Sequence, residues 1–193
     1  MKKLSHLSVL AALITALSSV HATTVIPPTF DQLVDQAELI FQGTVTDVRS
    51  QWVGEGSQRQ IVSYVTFKVE DAIKGSPGES YAIRMLGGTV GDETMGVSDA
   101  PKFNLGDKNI LFVENNGSQF VPLVGIMHGR FRIERDQSGQ EVVMSNDGEP
   151  VKNVARLGKD VAAPSAGATL TPAAFKAAVQ SKLQSAQPGR SEQ

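Results

Sequence analysis

The 193-residue chain contains no cysteine. A disulfide framework and a cysteine-built zinc site are both closed to it, so a hydrophobic core has to hold it together. Histidine is nearly as scarce. Of the three, His6 and His21 fall in the N-terminal leader, which leaves His128 alone in the body of the protein. One imidazole without thiolates cannot supply the several nitrogen or sulfur ligands of the usual zinc sites. Positive charge is not in excess: 18 Lys and Arg against 20 Asp and Glu give a net charge of −2. That balance argues against nucleic acid or anionic membrane as a partner, since both need a basic face. Past the leader, no apolar run approaches the ~20 residues of a membrane-spanning helix.

What is present starts with the leader itself. MKKLSHLSVLAALITALSSVHATTV has the basic start (Lys2, Lys3), apolar middle (Leu7 to Leu17) and small-residue cleavage pattern (Val20-His21-Ala22) of a secretory signal peptide. Residues 1–22 are therefore expected to be a cleaved signal, with the mature chain starting at Thr23. The expected location is the periplasm or the exterior of the cell.

After Pro27-Pro28, Thr29 with Gln32 forms a capping-box pattern, and Phe30, Leu33, Val34 and Ala37 follow helical spacing. From Leu39 the period changes to that of strands. LIFQGTVTDVR carries Val45 and Val48 on opposite parities, which requires either a bulge or burial on two faces; Gly43 inside it marks such a bend. GEGSQ connects to IVSYVTFKVED, where Ile61, Val65, Phe67 and Val69 share a face. The turn cluster Lys74-Gly75-Ser76-Pro77-Gly78 leads to Tyr81, Ile83 and Met85 in a third alternating run. Further on, NILFVE is apolar on both faces and suits a central strand. Asn115-Asn116-Gly117 predicts a hairpin turn into a return strand QFVPLV, with Pro122 placing that strand at an edge or bulge. RFRIER and EVVMS follow, joined by the turn DQSGQ.

Seven short strands at this spacing predict an all-β fold, a small antiparallel OB-like barrel of six to seven strands with two short peripheral helices. The barrel domain with its N-terminal helix is assigned to residues 23–148, and residues 149–193 to a linker and a C-terminal helix. The polar, then Pro/Gly-bearing run from Asn146 to Ala168 reads as that linker. The second helix has Thr171 as N-cap, Pro172 at its first position and Leu170 with Phe175 as a hydrophobic staple. Phe175, Val179 and Leu183 line one face, and docking on the barrel is the favoured reading. Residues 187–193 are expected to fray.

The feature that organises the chain is the stretch Arg84 to Gly106, RMLGGTVGDETMGVSDAPKFNLG. Gly87, Gly88, Gly91 and Gly96 loosen it, Asp92, Glu93 and Asp99 make it acidic, and Pro101, Phe103 and Gly106 pin its far end. It reads as a long loop that cannot continue a strand, and long loops in compact domains are usually functional or disordered. It lacks the G-x-G-x-x-G spacing and the helix start of a phosphate cradle. It also lacks the D-x-[DN]-x-[DN]-G pattern of a calcium loop, so a solvated acidic loop is the better reading. No G-x-S-x-G occurs to make a nucleophile of Ser98, Ser118 or Ser145.

Several motifs carry a resemblance. AELIFQGTV, YVTFKVEDAIKG, GGTVGD, APKFNLGDKNILFVE and GIMHGRFRI, from about Asp35 to Ile133, resemble a family of uncharacterised exported bacterial small β-barrel proteins. The order of a glycine-bearing first strand (Ala37 to Val45), a second ending in Lys-Gly (Tyr64 to Gly75) and a later Gly-Asp before an apolar strand (Gly106 to Val113) is similar to the netrin-like barrels of tissue inhibitors of metalloproteases. Those inhibitors place an N-terminal cysteine on the protease zinc. This chain has none, so the likeness implies a barrel and not that mechanism.

The functional expectation is an exported, non-enzymatic binding module with no cofactor, no metal and no catalytic residue. It would contact a protein partner, in one version an exported protease, through the loop 87–100. The candidate binding residues are Trp52, Gly87, Gly88, Gly91, Asp92, Glu93, Asp99, Pro101 and Phe103. The alternative is a small hydrolase using the loop carboxylates with His128, which requires these groups to meet in one pocket.

Overall fold

The computed structural model describes residues 27–159 and 167–186. The predicted signal peptide and its cleavage site, residues 160–166 of the predicted linker and the C-terminal residues 187–193 lie outside the described residues.

Thr29 starts helix α1 (Phe30–Gln36) with the predicted capping box: its hydroxyl accepts from the Gln32 N–H, and the Gln32 side chain accepts from the Thr29 N–H. The helix buries Phe30, Leu33 and Val34. Eight strands follow: β1 (Leu39–Val53), β2 (Gln60–Lys74), β3 (Ser80–Leu86), β4 (Gly88–Val90), β5 (Glu93–Met95), β6 (Lys108–Val113), β7 (Arg130–Arg135) and β8 (Glu141–Ser145). Six form one antiparallel sheet in the order β3-β2-β1-β6-β7-β8, and β4 pairs with β5 separately. The second helix is α2 (Pro172–Ser185). No helix among the described residues is long and apolar enough to cross a membrane.

The parity conflict between Val45 and Val48 is resolved by bulging. The β1–β2 ladder shifts register at Ile40/Phe41, Gln42/Gly43 and Val45/Asp47, and each shift bends the strand. Gly43 is required at such a bend, because a Cβ there would lie 2.7 Å from the Lys68 carbonyl oxygen. Both faces of the sheet are buried. Ile40, Ile110 and Phe112 belong to a core closed by the two helices, while their neighbours Phe41, Leu111 and Val113 belong to a second core on the opposite face. That is why NILFV is apolar at every position but Asn109.

The sheet is open rather than closed into a barrel: its edge strands β3 and β8 do not pair with each other. An uncovered edge offers its backbone to other chains, and here loops occupy both edges. Along β3, the Asn116 side chain accepts from the Arg84 N–H (3.0 Å) and donates to the Ala82 carbonyl (2.9 Å), and the Leu86 N–H donates to Phe120 (2.7 Å). Along β8, the Val143 N–H donates to Leu170 (2.8 Å), its carbonyl accepts from Val151 (3.0 Å), and the Ser145 N–H donates to Glu149 (2.8 Å). With its edges satisfied this way, the sheet gains little from closure.

Two local expectations change. QFVPLV is not a strand; it touches β6 through one bridge, Val113 to Leu123. The positive φ values fall at Asn115 (50°) and Gly117 (100°), with Asn116 between them outside that region. The Ser118 and Gln119 N–H groups both donate to the Asn115 carbonyl, so a wider turn replaces the two-residue hairpin and frees Asn116 to clasp β3. Part of the predicted linker is core: Val151 is buried against the helix-side cluster, and Val154 and Leu157 pack there too. The C-terminal helix docks, with Phe175 and Val179 fully buried. Lys176 pairs with Asp71 (2.7 Å), and Lys182 with Asp31 and Asp35 of α1 (3.4 and 3.6 Å).

Candidate functional site: two clefts flanking the glycine hairpin

The stretch expected to be an irregular loop contains a short hairpin. Gly87 continues beside β2 by donating to the Ile61 carbonyl (2.8 Å). The chain then runs along β4, turns at Gly91-Asp92 with Gly91 at φ 59°, and returns along β5. The Thr89 and Thr94 hydroxyls hydrogen-bond across the pair at 3.0 Å. Two serines seat the hairpin on the sheet. Ser63 donates to the Gly87 carbonyl (2.6 Å) and shares a 2.8 Å hydrogen bond with Ser50. Gly88, at φ 138°, lies so close that a Cβ would overlap both hydroxyls. Gly88→Ala is accordingly expected to lift the hairpin and lower stability by about 1–3 kcal/mol. A urea midpoint equal to that of the unsubstituted protein would show that the seat is not tight.

Between the hairpin and the sheet lies a cleft of about 480 Å³, a size typical of small-ligand sites. Val48, Met85, Met95 and Phe103 give it apolar walls, Ser50 and Ser63 line it with hydroxyls, and Lys102 is its one charged lining residue. Val48 is 39% exposed, a large apolar side chain left uncovered in the sheet.

Of the residues predicted from sequence, Gly87, Gly88, Pro101 and Phe103 line this cleft. Phe103 is more wall than contact surface: it is 8% exposed and packs edge-on against Phe67, with ring centroids 5.4 Å apart. Gly91, Asp92 and Glu93 form the exposed tip of the hairpin, and Asp99 is exposed at φ 61° beyond it; none of the four lines the cleft. Trp52 stands apart. It pairs with Ile61 at the far end of β1, and the Arg59 guanidinium covers its ring at 4.0 Å. Among the described residues, no group of three or more His, Asp or Glu is placed to hold a metal ion.

His128 is on the other side of the sheet. It lines a small recess with Pro28, Leu33, Phe131, Ser145 and Asp147, where Leu33 and Phe131 belong to the helix-side core. The hairpin instead sits over Ser63, which shares its face with Val65 and Phe67 of the opposite core. Asp92, Glu93 and Asp99 are therefore not brought to the imidazole. Burial pushes the His128 pKa below its usual value of 6.5, and the nearby Asp147 charge only partly opposes this. Because the folded state holds His128 neutral more firmly than the unfolded chain does, stability falls as pH drops through 6.5 toward the folded value. His128→Gln is expected to flatten that part of the stability–pH curve. Urea unfolding between pH 7.5 and 5 measures it; an unchanged slope contradicts the assignment.

Sequence reasoning missed a second, polar cleft of about 380 Å³, on the far side of Lys102 and bounded by the loop 102–107 and the strands β6 and β7. At its floor Arg130 is only 5% exposed. Its Nε donates to Asn109 (2.9 Å), Nη1 to the Lys102 carbonyl (2.7 Å) and to Asn146 (3.4 Å), and Nη2 pairs with Asp107 (3.2 Å). The guanidinium also lies 4.3 Å over the Phe103 ring. Burial lowers its pKa to about 10, with Asp107 opposing, so it remains a cation at neutral pH. The available signal was Asn109 inside an otherwise apolar strand: a buried side-chain amide needs a partner, and a charged residue of the facing strand can supply it. Compared with known proteins, the chain matches no family model, no curated protein and no solved structure.

Proposed function

We propose that this protein is an exported, non-enzymatic binding module, and that its partner is a protein of the cell envelope or the exterior, in one version an exported protease. The hairpin within residues 87–100 and the apolar cleft beneath it form the contact surface. The observation that carries this reading is the cleft itself: an apolar-walled space with hydroxyls at its base and an uncovered Val48, held open by a hairpin seated on two serines. Such a lining favours capture of an apolar group over proton transfer, because the one ionisable side chain at it is Lys102. The N-terminal signal pattern supports export.

The test is a pull-down from a cell-envelope extract with the unsubstituted protein, with a deletion of residues 88–98 and with Val48→Asp. Val48 is already part-exposed, so Val48→Asp is expected to leave the fold intact while making the cleft polar. At least one protein should be recovered by the unsubstituted bait and lost, by tenfold or more, with both variants. Equal recovery of every protein by all three baits would sink the reading.

A further inference from the structure

We infer that the two clefts act as one recognition surface for an acidic, apolar peptide segment, whose apolar side chain enters the cleft under the hairpin while adjacent carboxylates face Lys102 and the cations of the polar cleft. This rests on the binding reading above and names the chemistry of the partner. The link is Lys102, which lines both clefts. It forms no ion pair with any described carboxylate, so its charge is available to a ligand.

The polar cleft is cationic on a protein whose net charge is −2. Lys108 and Arg135 share the single carboxylate of Glu141, at 3.1 and 3.8 Å. Arg132 pairs with Glu134 and Arg130 with Asp107. Counting Lys102, the lining therefore carries two more cations than carboxylates. Apart from Lys102, these cations stand on β6 and β7 rather than on loops, and Arg130 is held by four acceptors. A positive field fixed in this way attracts an acidic segment and repels a basic one. In the cleft under the hairpin, Met85, Met95 and Val48 supply an adaptable apolar wall. An inorganic anion would use one cleft only, and a purely apolar ligand the other. A peptide carrying both groups in neighbouring positions uses both.

Fluorescence anisotropy with three dye-labelled probes tests this: the peptide Leu-Leu-Asp-Glu, a charge-reversed Leu-Leu-Lys-Lys and a polar Ser-Ser-Asp-Glu. The first should bind at least tenfold tighter than either other probe and weaken as salt rises. Lys102→Glu should cost about tenfold in affinity for the acidic probe, and Lys102→Gln less. Circular dichroism of each variant confirms that the fold persists. Equal binding of the acidic and charge-reversed probes, or no change in Lys102→Glu, overturns the inference. So does the absence of binding by any probe; a pull-down that still recovers a cleft-dependent protein would then leave the binding-module reading standing without this ligand chemistry.

Discussion

Arg130→Ala is expected to destabilise the protein by about 3–5 kcal/mol, the usual cost of removing one partner from a buried charged network. Four acceptors lose the guanidinium at once: the Asn109 and Asn146 side-chain oxygens, the Lys102 carbonyl and the Asp107 carboxylate, of which Asp107 keeps the Asn104 N–H. Asn109 is fully buried in the intact protein, where Arg130 fills the space between it and the polar cleft. For a domain of this size such a loss lowers Tm by roughly 10 °C. Arg130→Lys should recover little, because a single ammonium cannot serve acceptors spread around a planar fork. Urea unfolding of Arg130→Ala, Asp107→Ala and the double variant measures the coupling. If the two single losses simply add, the pair is not a unit and the account is wrong. A functional consequence follows from geometry. Arg130 ties the loop carrying Lys102 and Phe103 to β6 and β7, so a variant that still folds should show weaker cleft-dependent binding as well as lower stability.

Phe175→Ala should cost a comparable amount, about 3–5 kcal/mol for a buried phenylalanine whose cavity cannot collapse. Its ring is fully buried and meets three others, Phe131 at 4.7 Å and Phe30 and Phe112 at 6.2 Å. These come from α1, β6 and β7, so the helix acts as a plug over one face of the sheet. Removing its anchor should also release α2 locally. Lys176 and Lys182, which now pair with Asp71, Asp31 and Asp35, would become readily cut by trypsin. Unchanged cleavage at these lysines together with an unchanged urea midpoint would mean that the helix contributes nothing to the fold.

Much of this architecture was legible in the chain. Thr29 with Gln32, and Thr171 with Pro172, are local signals, and each helix starts where they stand. The alternation of Ile61, Val65 and Phe67, and the doubly apolar NILFV, reported burial on one face or two because side-chain direction in a strand has period two. The glycine stretch stands out by its composition, but its hairpin was not visible. Three-residue strands leave no periodicity to read, and β4 and β5 exist because Gly88 can approach Ser50 and Ser63.

Trp52 and the acids of the hairpin stand out in the sequence, and the structure places them outside the linings of both clefts. Arg59 covers Trp52, while Asp92 and Glu93 stay at an exposed tip. Arg130 and Lys102 were overlooked for the opposite reason. Nothing local distinguishes them from other charged residues on a strand and a loop.

The sequence by itself determined the all-β class, the two capped helices and most strand positions, because capping and hydrophobic period are encoded within a few residues of where they act. Only the tertiary structure decided that the sheet stays open, since that depends on Asn116 and Leu170 reaching edges 32 and 27 positions away in the chain, Arg84 and Val143 respectively. It also decided where the candidate site lies. The two clefts meet at Lys102 through contacts between segments that share no local pattern, and long-range pairing of that kind leaves no periodic trace in a single chain.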